Sequence, residues 1–152
     1  MRPPIDVLEY FSNQNTDILQ EYFVPFGQFI FFIDGLREIV KEYDINLVSA
    51  TLRYVRKNTE AFLSYSDHDA IAIVLYINQG LSDQGIEKAR LWTQRLIDLA
   101  LQCHGQYYLT YQSYGTRAQI RQVYPRIDEF FERKRTHDPE EFFVNSFYEK
   151  YK

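Results

Sequence analysis

Apolar and polar positions alternate along residues 16–25, TDILQEYFVP, which predicts a strand that Pro25 ends. Ile18, Gln20, Tyr22 and Val24 share one face; Leu19, Glu21 and Phe23 share the other. The period then lengthens. Over residues 29–44, Phe29, Phe32, Ile33, Leu36, Ile39, Val40 and Tyr43 recur at three- and four-residue steps, while Arg37, Glu38, Lys41 and Glu42 fall opposite, the mark of an amphipathic helix. Alternation returns in residues 45–57, with Val48, Ala50, Leu52 and Tyr54 on one face and Leu47, Ser49, Thr51, Arg53 and Val55 on the other. Residues 69–77, DAIAIVLYI, are apolar on both faces and suit a central strand. The connection between these strands, NTEAFLSYSDH, is long for a hairpin and reads as a mobile loop. Residues 82–103 form the longest helical pattern, with Ile86, Ala89, Trp92, Leu96, Leu99, Ala100 and Cys103 in one stripe and Asp83 and Gly105 as punctuation. A fourth strand, QYYLTYQ at 106–112, follows.

Strand, helix, strand, strand, helix, strand is the ferredoxin-like order, so the expected class is α+β: an antiparallel sheet with two helices on one face and the other face open. A C-terminal helical extension has no place in that minimal motif. Three parts follow: an N-terminal segment 1–15, continuing from or docked onto something that precedes it, a ferredoxin-like unit 16–112 and a helical arm 113–152. In the arm, Tyr124-Pro125 separates two short helical stretches, and a helix bearing Ile127, Phe130 and Phe131 closes at Asp138-Pro139. The last stretch places Pro139 at a first helical position. It carries Phe142, Phe143, Phe147, Tyr148 and Tyr151, rings that need a surface to cover, in this domain or in a neighbour.

The arm resembles the C-terminus of FAD-linked oxidases of the vanillyl-alcohol oxidase superfamily, in particular the aldonolactone-oxidase branch and related sugar or sterol oxidoreductases. The resemblance rests on a strand at Tyr108-Leu109, then Tyr124-Pro125, a Phe-bearing helix with a basic end at 130–134, Asp138-Pro139, and Phe143-Val144-Asn145. Each feature is common by itself; their order and spacing carry the likeness. A second match, Glu21 to Pro25 as Glu-Tyr-Phe-Val-Pro, resembles the opening of the substrate, or cap, domain in that family and extends the likeness over nearly the whole chain.

Composition narrows the field further. A chain of 152 residues suits one domain that buries about two-thirds of its extended surface. The net charge of −4 argues against nucleic acid, which is bound through clustered Lys and Arg. Aromatics stand out, with 13 Tyr and 12 Phe, either as a ring-packed core or as a face buried against another domain. A lone Cys103 without a charged-then-apolar leader indicates a reducing, cytoplasmic setting. No apolar run approaches the ~20 residues of a membrane span.

The open sheet face is the expected place for chemistry. Ser49, Thr51 and Arg53 point to it if Val48, Ala50, Leu52 and Tyr54 face the helices, which makes Arg53 the leading candidate for a ligand contact. The plainer reading is an arginine satisfied by water or a neighbouring carboxylate. The resembling oxidases carry a Glu-x-Arg on this strand beside the substrate; here the string is Thr51-Leu52-Arg53, with the arginine present and the acid absent. Many also carry a lysine on the last strand near the flavin, where this chain has Tyr111 within Tyr108 to Gln112. A phenol donates a hydrogen bond but brings no fixed charge. Cross-strand aromatic packing is the competing role of that cluster.

The resemblance therefore implies Arg53, Tyr108, Tyr111 and Gln112 as substrate contacts and Asn145 as a cofactor contact, on an arm that returns to a flavin domain. It implies an enzyme that removes a hydride from a hydroxyl-bearing carbon of a sugar lactone or related alcohol, with FAD as acceptor. No Gly-rich phosphate loop is present, so FAD is expected on a partner flavin-binding domain or subunit, and this chain is expected to be inactive alone. His68, His104 and His137 have no metal-ligand spacing, and no metal is expected. A non-enzymatic ferredoxin-like module for small-molecule binding or dimerisation is the alternative.

Overall fold

The computed structural model describes residues 14–152. The segment 1–15 therefore lies outside the described residues except for its last two. Four antiparallel strands form one sheet: β1 (Asn15–Pro25), β2 (Asn46–Val55), β3 (Ala70–Gly80) and β4 (Gln106–Tyr107), in the order β2-β3-β1-β4. The helices α1 (Phe29–Glu42) and α2 (Asp83–Gln102) pack on one face, and α3 (Arg117–Val123), α4 (Ile127–His137) and α5 (Ser146–Tyr151) follow. The architecture is α+β and ferredoxin-like with a C-terminal helical extension.

Register decides which side chains meet. Ile18 stands opposite Ile77, Gln20 opposite Leu75 and Tyr22 opposite Ile73, so the helix side of β1 and β3 is buried and, Gln20 apart, apolar, while Leu52 and Tyr54 of β2 on the same side stay more than half exposed. Phe32, Leu36 and Ile39 of α1 and Ala89, Trp92, Leu96 and Ala100 of α2 close over it. Each fully buried leucine or isoleucine there contributes about 2 kcal/mol of transfer free energy. Gln20 sits inside this core and is fully satisfied: its amide donates to Thr93 Oγ1 at 2.8 Å, and the Tyr22 hydroxyl donates to its Oε1 at 2.6 Å.

Two turns depart from the expected punctuation. The left-handed position after α2 falls to His104, with φ 54°, rather than to Gly105. Gly105 is needed instead because a Cβ there would stand 2.6 Å from the Phe23 carbonyl oxygen of β1. The N-terminus of α2 is capped by Ser82, whose hydroxyl accepts from the Gly85 N–H at 3.1 Å, with Asp83 in the first turn.

The last strand is shorter than its alternation predicts. The paired strand ends at Tyr107, with one further bond from the Tyr108 N–H to the Glu21 carbonyl at 2.9 Å; beyond it the Tyr107 hydroxyl donates to the Gln112 carbonyl at 2.7 Å, and on the outer edge the Tyr124 hydroxyl donates to the Tyr107 carbonyl at 2.6 Å. Residues 139–145 are likewise not helical. The final helix begins only at Ser146, where the Asn145 side chain accepts from the Tyr148 N–H at 2.8 Å.

The arm shares the main core rather than forming a unit of its own. Ile120, Val123, Tyr124, Ile127, Phe131, Tyr148 and Tyr151 belong to the same buried cluster as the sheet and α2. The question posed by the terminal rings has a divided answer. Phe147, Tyr148 and Tyr151 pack on this domain, while Phe142 and Phe143 are 80% and 83% exposed. Among the described residues, no helix is long and apolar enough to cross a membrane.

Candidate functional site

Among the described residues, no helix covers the second face of the sheet, but that face is not bare. Residues 58–68, expected to be mobile, fold back over one end of it, and residues 108–111 close in from the other side. Phe23, Ala70 and Ala72 form a small second core there, with Val55, Tyr65 and Tyr108 packed against it. Tyr65 lies 5.0 Å from Phe23 and 5.4 Å from Tyr108, centroid to centroid, and Tyr108 meets Tyr111 edge-on at 5.6 Å. Ring-on-ring contact thus does what a third helix would otherwise do.

Beside this cluster opens a cleft of about 460 Å³ lined by Glu21, Phe23, Arg53, Tyr54, Val55, Tyr65, Tyr108 and Tyr111. Arg53 and Glu21 define its polar wall. On β2, Arg53 stands opposite Ala72 of β3; on β1, Glu21 stands opposite Val74. Both side chains rise from the helix-free face, and Arg53 Nη2 donates to Glu21 Oε1 at 2.5 Å. Glu21 is 4% exposed and Arg53 57%. The carboxylate is therefore the buried anchor, and the guanidinium presents its remaining donors to the cleft.

The expected site residues divide between places. Arg53, Tyr108 and Tyr111 meet at this cleft. Gln112 is not among the residues that line it; its carbonyl is held by Tyr107. Asn145 caps α5 and lines a second cleft of about 430 Å³, with Leu109, Phe130, Lys134 and Tyr148. Tyr111 borders both clefts and forms the wall between them. Burial, and secondarily the charge of Glu21, raise the Tyr111 phenol above its ordinary range, so at neutral pH it is a neutral donor.

Glu21 and Tyr65 complete the site and were not singled out from sequence. Glu21 was legible in principle, because strict alternation puts it on the same face as Phe23. Tyr65 lies in an irregular loop, where no periodicity points to a side chain's direction. The missing acid of the Thr51-Leu52-Arg53 string has a counterpart after all: Glu21, two strands away, pairs with the arginine.

Chemically, the lining suits recognition. A guanidinium with spare donors, neutral phenols and ring faces can orient a small hydroxylated molecule by hydrogen bonds and stacking. Among the described residues, the lining includes no histidine, cysteine or serine, and its one carboxylate is engaged by Arg53. His68 is instead bound to its neighbour Asp67. Cys103 is buried, with its thiol pushed up by that burial, which makes it an inert core residue. Among the described residues, no cluster of His, Cys, Asp or Glu could hold a metal ion.

A flavin dinucleotide needs converging backbone N–H groups for its pyrophosphate. The described residues do not fit that demand. A Cβ on Gly85 would meet the Gly80 carbonyl at 2.7 Å and one on Gly105 the Phe23 carbonyl, so these glycines serve packing within the chain. The N-terminus of α2 is closed by its own cap.

Fold and cleft together define a ferredoxin-like α+β domain with a helical extension and a cleft lined by arginine and tyrosines. No protein-family model matches the chain, and no curated protein matches it in sequence.

Proposed function

We infer that this chain is the substrate-binding and C-terminal portion of an FAD-dependent oxidoreductase acting on a CH–OH group, with the flavin held by another domain or subunit. The observation that carries the reading is the Arg53–Glu21 pair at the mouth of a tyrosine-ringed cleft, on the face that no helix covers among the described residues. The resemblance of 21–25 and 108–145 to the FAD-linked oxidases supplies the reaction class. Arg53, Tyr108 and Tyr111 orient the hydroxylated substrate. The exposed Phe142 and Phe143, ahead of Asn145, are the surface that meets the flavin domain. The setting is a reducing cytoplasm, where the buried Cys103 stays a thiol.

The test is to isolate the native polypeptide or assembly that contains this chain and record its flavin absorbance, then its turnover of aldonolactones and polyols. The expected result is a yellow assembly in which Arg53→Ala raises KM strongly while flavin content is unchanged. An assembly free of flavin overturns the reading. That outcome favours a ligand-binding module of the same fold, consistent with a cleft that holds no free acid–base catalyst.

A further inference from the structure

The two edges of the sheet are treated in opposite ways. β4, at one edge, is two residues long and buried. β2, at the other, runs for ten residues, and none of them is buried. Natural edges are protected by brevity, proline, lysine or covering segments. Asn46–Val55 contains neither proline nor lysine, and Arg53 is its one charged residue. A bulge between Leu47 and Ser49 irregularises only its start, which leaves Ser49 to Val55 as regular strand. Val48, Leu52 and Tyr54 are each more than half exposed, and Phe26, also half exposed, stacks on Tyr54 at 5.6 Å. Among the described residues, no strand pairs with the outer edge.

We propose that β2 is an interface for a second copy of this chain, joined by antiparallel pairing of the two β2 strands about a two-fold axis through the sheet. Charge selects this occupant. The strand is entered from Glu42 and Asp44 and left through Arg56 and Lys57, and no acidic residue lies between Asn46 and Lys57. Antiparallel self-pairing brings the acidic entry of each copy beside the basic exit of the other, an isologous contact that satisfies both ends at once. Parallel pairing would set like charge on like. The main-chain row supplies the bonds, and Leu52 and Tyr54 supply apolar contact across the seam. Because the axis is perpendicular to the sheet, both Arg53 clefts open on the same side of the resulting eight-stranded sheet. The inference stands independently of the oxidoreductase reading.

Sedimentation velocity and light scattering on the purified full chain test it. The wild type is expected to be a concentration-dependent dimer, and Leu52→Lys, with an unchanged circular dichroism spectrum, a monomer. Asp44→Lys and Lys57→Glu singly place like charges across the seam and weaken the dimer about tenfold each. The double variant Asp44→Lys/Lys57→Glu restores the attraction with its sign reversed and recovers the wild-type constant. A monomeric wild type, a dimer untouched by Leu52→Lys, or single-variant losses that the double variant fails to recover overturns the proposal.

Discussion

Glu21 and Arg53 stand on strands that are not neighbours, and their side chains meet across β3 above Ala72 and Val74. The pair spans the sheet because strand pleating sends both residues to the same face, and the small Ala72 leaves room for the guanidinium to cross. Removing the arginine leaves a buried carboxylate without its partner. Arg53→Ala is expected to cost about 1–2 kcal/mol, less than for a fully buried pair because the arginine is half in solvent. In a urea double-mutant cycle, Glu21→Gln reduces the cost of Arg53→Ala; additivity of the two would show that they do not interact.

Two glycines separate close approach from mere flexibility. Gly105→Ala drives a methyl group into the Phe23 carbonyl of a central strand and is expected to destabilise by about 1–3 kcal/mol. Gly27→Ala meets nothing within 4 Å and is expected to change stability by less than about 0.5 kcal/mol. Equal thermal midpoints for the two variants would contradict this packing.

Alkaline pH should expose the buried phenols as a group. Burial raises Tyr22, Tyr107 and Tyr124 well above their ordinary value of 10.0 and pushes Tyr151 up to about 12. A group whose folded pKa is raised adds stability that is whole below its unfolded pKa and is lost as pH climbs through the folded one. These four should therefore ionise together with unfolding, as pH rises from about 10 to beyond 12. Phenolate absorbance followed alongside circular dichroism checks this; ionisation of all tyrosines in one step before unfolding would refute it.

Acid acts on the arm. The Asp138 carboxylate accepts from Lys134 Nζ at 2.6 Å and from the N–H groups of Phe142 and Phe143, which hold it below its ordinary value of 3.8. A depressed carboxylate contributes stability that is whole above its unfolded pKa and is lost as pH falls through the folded one. Protection of the Phe142 and Phe143 amides, taken relative to the intrinsic exchange rate at each pH, should thus hold at neutral pH and fall below about pH 4. Asp138→Asn should show the lowered protection already at neutral pH, and wild-type protection in that variant would count against the anchor.

Much of the fold was legible because burial imposes a period. β1, α1 and α2 each show a face that repeats at two or at about 3.6 residues, β3 shows as an unbroken apolar run, and each appears near its expected bounds. The placement of Ser49, Thr51 and Arg53 away from the helix side followed from the same alternation. Where contacts are made by partners remote in sequence, the pattern fell silent. Tyr108 to Gln112 alternates like a strand, yet after the Tyr108 N–H bonds the Glu21 carbonyl the chain leaves the sheet, and the Gln112 carbonyl is taken by the Tyr107 hydroxyl. Residues 139–145 carry helix-compatible side chains, yet Asp138 and the Asn145 cap hold the backbone out of a helix.

The amino-acid order by itself determined the α+β class, the strand sequence and the outward face of Arg53, since these depend on local periodicity, while Tyr108 and Tyr111 became candidates through the resemblance to the FAD-linked oxidases. Only tertiary structure decided that Glu21 would hold Arg53, that Tyr65 would line the cleft, and that β2 would be a long edge with no strand paired to it among the described residues. Those outcomes arise from which strand lies beside which, and a period along one segment says nothing about its neighbours.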